Sequence, residues 1–79
     1  MEHVMRKACI ELSSSAKAAC LLAGDLGMGR CLFMVVISDD MSKEPSPEQW
    51  ARALQRCKEK AVELKYEVSR IRGERLAGL

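Results

Sequence analysis

Aromatic side chains are scarce in this chain: one Trp, one Tyr and one Phe among 79 residues. A core with so few rings must be built from Ala, Leu, Val, Met and Cys, a set that packs best between closely apposed helices. His3 is the sole histidine, so no nucleophile–base–orienter set can be assembled around an imidazole. The four cysteines, Cys9, Cys20, Cys31 and Cys57, form no CxxC pair and sit among apolar neighbours. They read as small structural thiols in a reducing compartment, not as a disulfide frame or a zinc site. Long apolar runs are also missing. The longest, residues 31–37, falls far short of the roughly 18–20 residues that cross a bilayer. Near the start, Arg6 and Lys7 are followed by Glu11, three serines and Lys17 where a secretory signal would be apolar. These absences predict a cytoplasmic protein with no membrane contact, no metal and no cofactor.

What is present is a folding composition, 48% hydrophobic and 30% charged, expected to form a single small domain over 1–79. A chain this short buries only about 60% of its unfolded surface, and such domains often gain stability by oligomerising. The net charge of +2 is unevenly placed. Residues 1–42 carry four Lys/Arg against five Asp/Glu, and residues 43–79 carry nine against six.

The spacing predicts a first helix over about 3–23. Met5, Cys9, Leu12, Ala16, Ala19, Ala23 and Leu26 recur at alternating steps of four and three, one helical stripe of mostly small residues. Gly24 closes it, opening a glycine-rich turn over 24–29. That cluster follows a helix and precedes an apolar run, the reverse of a phosphate loop, and has no GK[ST]. Residues 31–37 read as a short strand, apolar on both faces. A linker over 38–46 leads to the clearest signal in the chain. Ser46 is an N-cap, Pro47 fits the first helical position and Gln49 completes a capping box. Trp50, Leu54, Cys57, Ala61, Leu64, Val68 and Ile71 then keep a heptad spacing, which predicts a helix over about 47–72.

The expected architecture is mainly α: a helix–strand–helix protomer with its two helices packed as an antiparallel hairpin. A lone strand cannot satisfy its own backbone groups, and no second segment of strand character is evident. The simplest remedy is the same strand from a second copy, paired antiparallel across a homodimer through Leu32, Phe33, Met34, Val35, Val36 and Ile37. The alternatives are pairing with another protein's sheet edge, or residues 31–37 continuing as helix or loop.

No constellation points to an enzyme. Glu59 and Glu63 lie one turn apart on a solvated face. Tryptophan and arginine are the residue types most enriched at binding hot spots, and Trp50, Arg52, Arg56 and Lys60 follow one another along the second helix. That surface is the expected docking site for a larger protein, with Trp50 as core cap the competing reading. The alternative function is a small DNA- or RNA-binding regulator using the basic face formed by Arg52, Arg56, Lys60, Arg70 and Arg75, with Lys58 and Lys65 beside the seam.

Leu22, Ala23, Gly27, Phe33, Val36, Ser46, Glu48 and Trp50, within roughly residues 16–65, carry a resemblance to a family of small lambdoid-phage early-region accessory proteins. In that family a helix ends in a Leu-Ala-x-x-Gly-like turn, followed by an apolar Phe-containing run, a polar linker and a capped helix. The resemblance implies an accessory protein, a regulator or inhibitor acting on a host protein.

Overall fold

The computed structural model describes residues 6–13, 15, 17–23, 30–38 and 43–73. They form a four-stranded sheet with one helix across one face. The elements are β1 (Arg6–Ser13), β2 (Ala18–Ala23), β3 (Arg30–Val36), α1 (Pro47–Glu63) and β4 (Tyr66–Gly73). The strand order is β3-β2-β1-β4. The first three strands form an antiparallel meander, and β4 joins β1 in parallel. Helix α1 therefore carries the chain from one edge of the sheet to the other.

The mainly helical hairpin expected from the sequence is overturned. Where a helix over 3–23 was expected, the described residues make the hairpin β1–β2. Ala8, Ile10 and Leu12 are buried under α1, while Lys7, Cys9 and Glu11 between them point away. That is a period of two. Ser13 ends β1 and Ser15 lies in the reversal that follows, where serine hydroxyls compete with backbone bonding: the Ser13 and Ser15 hydroxyls lie 3.4 Å apart and Lys17 has φ 47°. The Gly-rich turn over 24–29 lies outside the described residues. Leu22 and Ala23, which the phage-family resemblance puts at a helix end, lie in β2.

Helix α1 starts where its capping box stands. Ser46 Oγ accepts from the Gln49 amide and the Gln49 side chain accepts from the Ser46 amide. It ends at Glu63, not near residue 72. Leu64 caps it, Lys65 turns the chain at φ 64°, and Tyr66 begins β4. The heptad seam does not exist as such: Val68 and Ile71 belong to a strand. Their spacing of three arises from a bulge at Ser69, which restores both to the helix-covered face.

The core lies between sheet and helix. Ala8, Ile10, Leu12, Ala19 and Leu21 meet Trp50, Ala53, Cys57 and Ala61. Alanines on both layers allow close approach, and the single Trp ring fills most of the remaining space, 2% exposed. Cys57 Sγ donates to the Ala19 carbonyl at 3.7 Å, tying the helix to β2.

The premise from which strand pairing across a homodimer was expected, a strand with no partner in its own chain, is corrected. β3 finds its partner within the chain: it pairs with β2 in the register Ala18↔Val36, Ala19↔Val35, Cys20↔Met34, Leu21↔Phe33. Among the described residues no helix is long and apolar enough to cross a membrane.

Candidate functional site

Two surfaces stand out as candidates: the open face of the sheet, and the side where α1 overhangs the edge strand β3. The open face is divided. On the β1–β4 side it is charged, with Lys7 paired to Glu67 and Glu11 to Arg72 at 3.0 Å, all at least two-fifths exposed. Such exposed pairs contribute little stability, but they cover this half with charge. On the β2–β3 side it is apolar and sulfurous: Cys20 and Leu22 are half-buried, Cys31 is exposed, and Met34 and Val36 are 52% and 56% exposed.

Two of the four thiols, Cys20 and Cys57, are held protonated by their surroundings. Burial pushes the Cys57 thiol up to about 11, with the Cys20 and Cys31 thiols adding to it and Arg56 opposing. The Cys20 thiol is also raised, first by burial, then by its neighbour Cys31 and by Glu11 across the strand pair. Thiols held protonated are poor nucleophiles and poor ligands. Among the described residues no three His, Cys, Asp or Glu side chains converge as a metal site would require.

The second surface is a shallow groove of about 160 Å³ between β3 and α1. Val35, Val36 and Ile37 form one wall, and Gln49, Arg52, Ala53 and Arg56 form the other. The geometry follows from the packing. Trp50, Ala53 and Cys57 point into the core, so positions 49, 52 and 56 fall on the flank of the helix that overhangs the sheet edge. Arg52 and Arg56 are exposed, lie one turn apart, and have no ion-pair partner among the described residues.

Of the residues singled out in the sequence, Arg52 and Arg56 stand together on this groove. Lys60 is further along the same helix. Its ammonium lies over the Phe33 ring and pairs with Glu63 at 3.1 Å, so it is engaged within the chain. Trp50 is in the core, so its ring is not available to a partner. The six residues expected to dimerise divide by face. Leu32, Phe33, Val35 and Ile37 pack against the core, while Met34 and Val36 look outward. The proposed basic face does not form as one stripe, because Arg70 lies in β4 and Arg75 is outside the described residues. Gln49 was missed as a site residue, and Val35, Val36 and Ile37 were expected as a dimerisation strand, not as the wall of a groove under α1. Nothing in a linear pattern places β3 beside α1. No family model, no curated protein and no solved structure matches this chain.

Proposed function

We propose that this protein is a small non-catalytic binding module that regulates or inhibits a larger protein by docking it along the β3–α1 side. The observation that supports this is the groove itself: two exposed arginines, without an ion-pair partner among the described residues, set beside the edge strand β3. Like charges one helical turn apart repel by a few tenths of a kcal/mol, and an acidic partner removes that cost. Arginine forks also bind carboxylates bidentately, which confers register as well as affinity.

The test is capture from an extract of the source cells, comparing three proteins at matched concentration. The double reversal Arg52→Glu/Arg56→Glu is expected to lose the partner that the wild-type chain retains. The equally charged control Lys58→Glu/Arg70→Glu is expected to keep it. Equal capture by all three proteins would remove the groove from consideration. Recovery of nucleic acid in place of protein, with affinity falling steeply as salt rises, would replace this reading with a nucleic-acid regulator.

A further inference from the structure

The two edges of the sheet are not alike. β4 carries Glu67, Arg70 and Arg72 along an eight-residue strand, and charges of this kind keep edges from pairing with other chains. β3 has one charge, Arg30 at its first position, then CLFMVV with no proline and no lysine. Its backbone orientation can be read from the hydrogen bonds. The Ile37 amide donates to the Lys17 carbonyl at 2.9 Å. With Ala19↔Val35 and Cys20↔Met34 in register, alternation directs the Val35 and Ile37 backbone groups toward β2. The N–H and C=O groups of Met34 and Val36 then point outward, away from the sheet.

The flanks of that edge differ in chemistry. On the helix side stand Arg52 and Arg56. On the open side stand the exposed Met34 and Val36 side chains. Helix and strand are also aligned. Lys60 lies over Phe33, while Gln49, Arg52 and Arg56 line the groove with Val35 through Ile37, so α1 runs antiparallel to β3. Arg52 and Arg56 are therefore offset by about 6 Å along the strand direction, four residues at ~1.5 Å each. Same-face residues of a strand repeat at about 6.6 Å. Two acidic residues separated by one position would thus meet the two guanidiniums in step.

We propose that the partner docks as an extended segment added to β3 as a fifth strand, with acidic residues facing α1 alternating with apolar residues facing Met34 and Val36. This rests on the protein-binding reading above and specifies its ligand. Main-chain bonds to the outward groups of Met34 and Val36 hold the strand, and the alternating side chains select it.

The probe is a fluorescein-labelled hexapeptide of alternating Glu and Val, titrated against the intact chain by anisotropy. Saturable binding is expected, weakened tenfold or more by Arg52→Glu/Arg56→Glu and unmoved by Lys58→Glu/Arg70→Glu. A Lys–Val peptide of the same length should not bind. Two N-methylated versions of the probe test strand addition without altering the protein. Methylating one alternate set of amides should abolish binding, and methylating the other should be tolerated, because only one edge of an added strand is bonded. Amide exchange at Met34 and Val36 should slow in the complex. Equal binding of both methylated peptides, or of the Lys–Val peptide, would overturn strand addition. So would sedimentation of the free chain as a dimer with those amides already protected, since a second copy would then hold the edge. If no peptide binds but the double arginine variant still loses its captured partner, this inference falls and the protein-binding reading stands.

Discussion

The ammonium of Lys60 sits 5.5 Å from the centroid of the Phe33 ring. It pins α1 to the edge strand, next to the groove that Arg52 and Arg56 overhang. A partly exposed cation–π contact is worth about 0.5–1 kcal/mol, and the i,i+3 pair with Glu63 adds a few tenths. Lys60→Ala should therefore lower stability by about 1 kcal/mol in urea denaturation, with an unchanged m-value. A change in m would mean that the edge strand detaches as a separate unit.

Trp50 gives the largest expected effect. Its ring lies among Ala, Ile and Leu side chains that cannot expand to refill the space. Trp50→Ala should cost about 3–5 kcal/mol, comparable to the whole stability of a domain this small. Circular dichroism should show loss of a cooperative thermal transition. Survival of that transition with near-normal stability would place Trp50 outside the core.

The legible parts of this fold were those with local chemistry. Ser46, Pro47 and Gln49 marked the start of α1 because a capping box involves neighbours only. The exposed position of Arg52 and Arg56 also followed from helical spacing. The hairpin β1–β2 was misread because Cys9, Ala16, Ala19 and Ala23 are small enough to suit either period. The decisive alternation, Lys7-Ala8-Cys9-Ile10-Glu11-Leu12, is only six residues long. β4 was misread because the Ser69 bulge converts a two-residue period into a step of three between Val68 and Ile71, which mimics a helix. The turn at Lys65 gave no warning either, since a left-handed residue is usually Gly or Asn. The groove was illegible for another reason: it exists only where residues twelve to twenty-one positions apart, from Val35–Ile37 to Gln49–Arg56, meet across a strand–helix boundary.

Gly73 closes β4 at φ 142°, where a side chain is strained. Space is lacking too, since a Cβ there would lie 2.3 Å from the Leu12 carbonyl oxygen in the neighbouring strand. Backbone cannot yield as a flexible side chain would, so Gly73→Ala should separate the end of β4 from β1 at a cost of roughly 1–3 kcal/mol. Amide exchange should accelerate at Ile71 and Arg72 more than at Arg6 or Tyr66 on the far end of the same pairing. Uniform acceleration along the pair would indicate global loss of stability instead.

Cys57 links the core to pH. Its thiol is raised from 9.0 to about 11, chiefly by burial against β2. The unfolded chain therefore releases this proton before the folded one does. Below pH 9 both states hold it, and the full stability is present. Between about 9 and 11 the unfolded state binds fewer protons, so stability falls as pH rises. Two units correspond to roughly 2–3 kcal/mol, and the raised Cys20 thiol shifts in the same direction. Cys57→Ala removes this titration but opens a small space, and Cys57→Ser puts a stronger donor near the Ala19 carbonyl. The comparison is therefore between slopes, not between absolute stabilities. Urea midpoints measured from pH 7.5 to 10.5 should decline more steeply for the wild-type chain than for either variant. Thiol labelling gives an independent reading: exposed Cys31 should react with iodoacetamide first, and Cys57 should react only at the rate at which the chain unfolds. Prompt modification of Cys57 in the folded protein at pH 8 would show that β2 and α1 part readily around it.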